Sequence, residues 1–170
     1  RQRQMCIRDS VTALLVAGSV STFLIAEWGD VARSMEMERR AQAIDAETDV
    51  SLAGDPGHVR YSATGQIQFY LMNSGTSVLD DSTLVVLVDG VQQSANVTTT
   101  VMNGGDWSAG ELLQVQVVDN TLTYANNTEV VLTVVVSSEF VSNVRGTDTL
   151  DAEVRLVVLS LIHISEPTRH

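Results

Sequence analysis

The sequence contains no lysine, and its single cysteine, Cys6, lies in a terminal stretch unlike the rest of the chain. One cysteine can form neither an intramolecular disulfide framework nor a zinc cage of several thiolates. Histidine is scarce as well, because only His58 lies between residues 11 and 159. A Ser-His-Asp triad would have to use His58, and no Gly-x-Ser-x-Gly motif accompanies it. We therefore expect no enzyme activity, no catalytic residues and no cofactor.

Basic charge is equally scarce. Between residues 11 and 159, six arginines stand against 19 aspartates and glutamates, which gives a net charge of −13. Nucleic acid and anionic lipid are poor partners for such a chain, since phosphate binding needs clustered lysine and arginine. The carboxylates at Asp80-Asp81 and in residues 45–49 are typical of a solvated surface. Without an Asp-x-Asp-x-Asp-Gly loop, we expect no calcium or other metal site.

Both ends of the chain resemble translated sequencing-adaptor read-through. These ends are residues 1–10, RQRQMCIRDS, and residues 160–170. We expect both to be artefacts and native residues to precede Val11. The arginines near the beginning therefore carry no information about a positively charged cytoplasmic flank.

Residues 11–28, VTALLVAGSVSTFLIAEW, are apolar or small until Glu27. As a helix they would extend about 27 Å, close to the hydrocarbon core of a bilayer at about 30 Å. A helix buried in a soluble core normally keeps a polar face, whereas this one has only serine and threonine for polarity. We predict a membrane anchor. Its anchoring residues are Val11, Leu14, Leu15, Val16, Phe23, Leu24, Ile25 and Trp28.

The helical pattern continues beyond the apolar segment. No small-x-small cleavage signal follows the segment directly, and Trp28, Val31 and Met35 continue an apolar stripe from Leu24. We therefore predict a retained helix over residues 11–45. The protein is then expected to be a single-pass cell-membrane protein whose second domain, residues 46–159, faces outside.

The second domain reads as mainly β. Seven short runs alternate apolar and polar residues or are continuously apolar, and turn sequences such as Asp89-Gly90 separate them. The runs are residues 50–52, 67–72, 84–88, 95–101, 113–117, 130–136 and 152–156. This pattern predicts an immunoglobulin-like antiparallel β-sandwich. Residues 84–88 are apolar throughout, which predicts a central strand covered on both faces.

Residues 95–101 predict an uncharged edge strand, because they lack the lysine or proline that would block strand addition. The possible assembly edge consists of Asn96, Val97, Thr98, Thr99, Thr100 and Val101. Proline at Thr98 would abolish assembly at little cost to the fold if the amide of Thr98 is the one that points outward.

Two glycosylation sequons are present, at Asn96-Val97-Thr98 and Asn126-Asn127-Thr128. Strand alternation favours Asn96, because it directs this side chain away from the face of Val97. Trp107 is expected to be a core or loop anchor.

Four local sequences follow one another along the chain: Asp55-Pro56-Gly57, FYLMNSGTSVL at residues 69–79, VLVDG at residues 86–90, and Trp107 with Gly110. In this order they resemble the archaellum (archaeal flagellum) stator proteins of the FlaG or ArlG type, within the archaeal flagellin-related group. The resemblance implies a structural part of a motility machine, held beside the rotating filament. It also implies contacts to a FlaF-like sister protein and the surface layer, with possible self-association through a sheet edge.

Two other functions remain open at this point. A filament subunit of the archaellin or pilin type shares the long apolar helix but requires it to be cleaved and packed into a filament. A generic membrane-anchored adhesion module requires neither cleavage of the helix nor its packing into a filament. Neighbouring motor ATPase and archaellin genes would favour the stator, and a class III signal cleavage site would favour the filament subunit.

Overall fold

The computed structural model of the chain describes residues 2–62 and 64–158, with side chains from residue 14 onward except those of residues 19, 23, 24, 26 and 94. The chain divides into two compact units between Ala41 and Gln42. The predicted artefact at residues 160–170 lies outside the described residues.

The first element is helix α1, Gln2–Glu47, of 46 residues. It ends within two residues of the predicted position, and at its beginning it includes residues 2–10, which we had expected to be foreign. No proline interrupts it, and both of its glycines, Gly18 and Gly29, have open space where a side chain would lie. The prediction of a long N-terminal helix is confirmed.

Nine strands follow in the described part of the chain. They are β1 Val50–Ala53, β2 Val59–Ser62, β3 Gln66–Asn73, β4 Val85–Val88, β5 Val91–Gln92, β6 Val97–Val101, β7 Leu112–Val118, β8 Thr128–Ser137 and β9 Thr147–Val158. Short 3-10 turns at Pro56–His58, Asp81–Thr83 and Ser94–Asn96 precede β2, β4 and β6.

The pairing order is β5-β4-β8-β9-β2-β3-β7-β6, with β1 also paired to β3. One layer therefore contains β1, β3, β7 and β6, and the other contains β9, β8, β4 and β5. This is the ABED and GFC order of immunoglobulin domains, with β5 added to the second layer. Strand β2 pairs antiparallel with β3 and parallel with β9, so it joins the two layers. The predicted immunoglobulin-like sandwich is confirmed, with one parallel pair among its antiparallel ones.

The core lies between the layers. Alternate residues of the long strands point into it, such as Leu71 of β3, Val115 of β7 and Val134 of β8, each with no exposed surface. Trp107, from the loop before β7, is 1% exposed and belongs to the same cluster. The expectation that Trp107 is a core anchor is confirmed.

Some strand predictions need correction. Residues 84–88 are not covered on both faces, because Val86 and Val88 are buried while Val85 and Leu87 are half-exposed on the outer face of the layer. The edge strand begins at Val97 and not at residue 95, since Ser94–Asn96 forms a 3-10 turn. Strands β2 and β5 were not predicted.

Candidate membrane anchor and assembly surfaces

One helix in the described part of the chain, Leu14–Glu47, is long and apolar enough to cross a membrane, with a mean hydropathy of 1.3 in its most apolar window. None of that window is buried. The predicted anchoring residues with described side chains range from 62% exposed at Val16 to 73% at Leu14. The side chains of Val11, Phe23 and Leu24 lie outside the described ones. By length and composition, this helix fits a membrane span or a signal sequence.

Two hydroxyl groups in the apolar segment, those of Ser21 and Thr22, are satisfied within the helix. Ser21 Oγ donates to the carbonyl of Ala17 at 2.8 Å, and Thr22 Oγ1 donates to that of Gly18 at 3.2 Å. Internal hydrogen bonds of this kind lower the cost of placing a hydroxyl group in hydrocarbon. The serine and threonine residues are therefore compatible with a membrane-spanning role.

The last turn of α1 belongs to the same compact unit as the sandwich. Ile44 is 8% exposed and Thr48 is 4% exposed, and Thr48 Oγ1 donates to the Ile44 carbonyl at 2.7 Å. The loop between β3 and β4 donates to the Glu47 carbonyl from the Thr76 amide at 2.9 Å. From the loop before β9, the Thr147 amide donates to Asp45 Oδ1 at 2.9 Å. The contacts to Ile44 and Glu47 satisfy carbonyl groups that a helix end leaves unpaired, and the contact to Asp45 binds its side-chain carboxylate.

Two glycines allow this close approach. A Cβ atom at Gly75 would lie 2.2 Å from the Glu47 carbonyl oxygen, and one at Gly146 would lie 2.4 Å from Thr48 Oγ1. We call the last turn of α1, Gly75, Gly146 and Thr147 the helix clasp. Its parts are distant in sequence, so sequence reasoning had no signal for it beyond two unexplained glycines.

Asn73, which is completely buried, holds one half of the clasp in place. Its Nδ2 donates to the carbonyls of Ser77 at 2.8 Å and Trp107 at 3.0 Å, while its Oδ1 accepts from the Gly75 amide at 3.1 Å. The Gly75 amide also donates to the Asp49 carbonyl, and the Trp107 carbonyl also accepts from the Leu79 amide, both at 3.0 Å, so Asn73 adds to a network that joins several backbone segments. Asn73 therefore fixes the loop that contacts the end of the helix.

An ion pair lies next to the other half of the clasp, at the residue before Gly146. Arg145 Nη2 lies 2.6 Å from Asp80 Oδ2, and the guanidinium stacks 4.4 Å from the ring centre of Phe140. Hydrogen bonds from Ser82, together with the charge of Arg145, hold the pKa of Asp80 below its usual value although partial burial acts in the opposite direction. Asp80 thus connects the turn before β4 to the loop before β9.

The predicted assembly edge lies where expected, since β6 pairs only with β7 among the described strands. The direction of its amides differs from what the Thr98 test assumed. The Met102 amide donates to Leu112, and the register pairs Thr98 with Gln116 and Thr100 with Gln114, so the amides of Thr98 and Thr100 point toward β7. The outward amides are those of Val97, Thr99 and Val101, so proline at Thr98 would break an internal hydrogen bond.

The two sequons differ in accessibility, in the order opposite to that expected. Asn96 lies in a 3-10 turn and is half-buried, and its Nδ2 donates to Oε1 of the buried Gln93 at 3.3 Å. Asn126 is exposed in the loop before β8, where its Oδ1 accepts from the Val158 amide. The alternation argument for Asn96 was wrong because Asn96 is not part of the strand.

The carboxylates and the histidine considered above are separated in the structure. Asp80 pairs with Arg145, whereas Asp81 Oδ2 accepts from Thr99 Oγ1 at 2.9 Å. His58 lies on the surface with its Nδ1 2.7 Å from Asp55 Oδ2. Hydrogen bonds from the Gly57 amide and from His58 lower the pKa of Asp55. Within residues 2–62 and 64–158, no group of three or more His, Cys, Asp or Glu side chains is arranged to hold a metal ion.

No protein-family model matches the chain, and no curated protein matches it. Among solved structures, the chain is similar to the periplasmic chaperone SfaE, at 16% identity and a TM-score of 0.32, over 65% of this chain and 57% of that one. It is also similar to the secreted serine protease VesC from Vibrio cholerae, at 11% identity and a TM-score of 0.33, over 69% of this chain. The chain spans only 57% and 25% of the lengths of these two proteins. At these TM-scores neither similarity carries an argument about function.

Proposed function

We propose that this chain is a non-enzymatic, membrane-anchored structural component of the archaellum, acting as a stator. In this proposal the sandwich lies outside the cell membrane and assembles with a FlaF-like sister protein and the surface layer. The observation that carries the proposal is a candidate membrane-spanning helix whose last turn is built into an immunoglobulin-like sandwich. The assignment to the archaellum stator proteins rests on the sequence resemblance.

The junction is suited to a mechanical role. The Glu47 carbonyl accepts from Thr76, and the Asp49 carbonyl accepts from the Ser74 and Gly75 amides at 3.0 Å. Val50 then enters β1, and its amide donates to Asp148 Oδ2 at 2.9 Å. Because the Glu47 and Asp49 carbonyls and the Val50 amide are paired with loops and strands of the sandwich, residues 47–50 have little freedom to act as a hinge. A fixed element that resists torque needs such a junction and requires no chemistry.

The free edge of β6 supports assembly with a partner. The amides of Val97, Thr99 and Val101 point away from β7, and no other described strand pairs with them. Unpaired amides and carbonyls at a sheet edge can accept a strand from another chain. The sister protein could supply that strand.

Fractionation of motile cells tests the proposal. Filaments are sheared off and separated from membranes, and the protein is located by antibody and characterised by mass spectrometry. We expect it in the membrane fraction with residues 11–28 intact, and we expect the FlaF-like protein to co-purify after detergent extraction. Recovery in the sheared filaments with the apolar segment removed would identify a filament subunit instead. Recovery in membranes of cells that lack archaellum genes would favour an adhesion module.

A further inference from the structure

The outer surfaces of the two layers differ sharply in charge. On the β1-β3-β7-β6 layer, the side chains that point away from the core along β3, β7 and β6 include no aspartate, glutamate or arginine. They are Gln66, Gln68, Tyr70, Met72, Thr98, Thr100, Met102, Leu112, Gln114, Gln116 and Val118. We call this surface the neutral face.

Strand register places these side chains in rows. One row is apolar and consists of Met72, Leu112 and Met102, which are 37%, 37% and 51% exposed. The next two rows are Tyr70-Gln114-Thr100 and Gln68-Gln116-Thr98. The side-chain amides of Gln114 and Gln116 make no hydrogen bond to any other described residue. Each can therefore donate to and accept from a partner.

The opposite layer carries charge on its outer surface. Glu129 of β8 and Asp151, Glu153 and Arg155 of β9 all point outward there. Arg155 pairs with Glu129, which leaves Asp151 and Glu153 as uncompensated carboxylates on this acidic face. Both faces are the outer surfaces of layers in the same sandwich. The difference in charge therefore comes from which residues occupy the outward positions and not from the geometry of the sheets.

We propose that the neutral face is an interface between two copies of this chain. The whole chain has a formal net charge of −11, so two copies repel each other wherever carboxylates meet. The neutral face allows sheet-on-sheet contact without bringing carboxylates together. A two-fold interface places the same surface on both sides, and glutamine suits this because its amide is complementary to another amide. The inference is independent of the motility function, but it rests on the membrane anchoring in the proposed function as well as on the fold and the charge distribution.

The size of the face indicates how strong this pairing is. The face is as long as the seven residues of β7, about 24 Å, and as wide as the three strands β3, β7 and β6, about 14 Å. Its area is therefore about 350 Å² per copy. A pair buries about 700 Å² in total, below the roughly 1,200 Å² typical of stable complexes. Pairing in free solution is therefore weak. Anchoring two copies in one membrane raises their effective concentration and makes such a contact significant.

The test uses the full chain in lipid vesicles. Because the chain has no lysine, its N-terminal amine is the single amine for attaching donor or acceptor fluorophores, and energy transfer is measured as the lipid-to-protein ratio changes. The test variant carries Gln114→Glu and Gln116→Glu. The matched control carries Val131→Glu and Thr149→Glu, which add the same charge to the outer surface of the other layer. A third variant carries Gln114→Arg and Gln116→Arg, which adds positive charge without adding a reactive amine, and circular dichroism verifies the fold of each.

We expect the Gln-to-Glu variant to need at least a tenfold higher surface density than wild type for the same energy transfer, and the control to change by less than threefold. Mixing the Gln-to-Glu and Gln-to-Arg variants should restore transfer, because opposite charges then meet across the interface. Unchanged transfer in the Gln-to-Glu variant would overturn the proposal. So would an equal loss in the control, or failure of the mixture to restore transfer when both variants are folded. Loss of transfer with Thr99→Pro but not with the Gln-to-Glu variant would place self-association at the β6 edge instead.

Discussion

At the scale of single residues, our strongest prediction concerns the stability of variants at Gly75 and Gly146. Neither has a left-handed backbone, so the cost of a side chain there is steric. Alanine at Gly75 would place a methyl group 2.2 Å from the Glu47 carbonyl oxygen. We expect Gly75→Ala to lower the free energy of unfolding by about 1–3 kcal/mol, as overpacking of a tight site does. Urea denaturation followed by fluorescence of the buried Trp107 measures this.

The matched control for that substitution is Gly29→Ala. Gly29 also lies in α1, but a Cβ atom there meets nothing within 4 Å. Its replacement is expected to leave the unfolding of the sandwich unchanged. Equal stability of Gly75→Ala and wild type would mean that the helix end does not press on this loop.

The contribution of Asp80 to stability is expected to depend on pH. Its pKa is lowered in the folded protein, chiefly by the hydrogen bond from the Ser82 side chain and further by Arg145. A lowered pKa stabilises the fold above the unfolded value of 3.8, and that contribution disappears as pH falls through the folded pKa. We expect Asp80→Asn to be less stable than wild type at pH 7 by about 1–2 kcal/mol. The difference should shrink below pH 3.8.

Chemical denaturation of both proteins at a series of pH values between 7 and about 2 measures this difference. Comparing two proteins removes the effect of neutralising the other carboxylates, because both proteins share it. Asp106→Asn serves as the control, since it removes an exposed carboxylate without a side-chain hydrogen bond to another described residue. A difference that stays constant down to the lowest pH would show that the ionised form of Asp80 is not what stabilises the loop.

At the scale of elements, sequence periodicity predicted seven of the nine described strands and missed β2 and β5. Strand β2 has only four residues, and its alternation of Val59 and Tyr61 with Arg60 and Ser62 follows directly on a proline-glycine turn. Its pairing with β9 joins residues about a hundred positions apart, which no local pattern reveals. Strand β5 has two residues and exists because Asp89 and Gly90 both adopt positive φ, closing a hairpin that holds Val91 opposite Val88.

The same limit applies to the candidate sites. The apolar helix and the uncharged edge strand could be predicted because each is a continuous stretch. The direction of each amide in β6 could not, since it depends on the register with β7. The helix clasp and the neutral face bring together residues from separate strands and loops, so they required the fold.

The register of β6 leads to a sharper prediction than the sequence allowed. Proline at Thr99 removes an outward amide and leaves the hydrogen bonds to β7 in place. We expect Thr99→Pro to fold and to lose binding of a strand from a partner. We expect Thr98→Pro to lose about 1–3 kcal/mol of stability, because the Gln116 carbonyl loses its donor. Thermal melts and co-purification with the FlaF-like protein measure both effects.

Thr99→Val is the control for the hydroxyl group, which donates to Asp81. It removes that hydrogen bond but retains the backbone amide, so partner binding should persist. If Thr99→Pro binds the partner as well as wild type does, the binding surface is not the β6 edge.

The buried residues at the end of α1 indicate where the second compact unit begins. The boundary expected from the sequence lay between residues 45 and 46, but the compact unit starts at Gln42 and includes the buried Ile44. A fragment of residues 42–158 should therefore be a soluble domain with a circular dichroism spectrum dominated by β structure. A fragment of residues 46–158 should be about 2–5 kcal/mol less stable, since it lacks a buried isoleucine. Equal stability of the two fragments would exclude a contribution of the last helical turn.

At the scale of the whole molecule, composition predicted an acidic protein but not where the charge lies. The net charge of −13 between residues 11 and 159 follows from counting. Its absence from the neutral face follows only from knowing which side of each strand faces outward. Function differs from both cases, because the stator proposal rests on a resemblance in sequence order.

The overall charge leads to a prediction about salt. Carboxylates such as Asp151 and Glu153 repel their neighbours across the surface, and raising the salt concentration from 0.1 M to 1 M shortens the screening length from about 10 Å to about 3 Å. The repulsion acts in the compact state more than in the unfolded chain, so screening should stabilise the fold. We expect the melting temperature of the 42–158 fragment to stay constant or rise with sodium chloride. In the variant with Asp151→Asn and Glu153→Gln, the rise should be smaller because less repulsion remains to be screened. A melting temperature that falls steadily with added salt would mean that ion pairs such as Arg145–Asp80 and Arg155–Glu129 outweigh the repulsion.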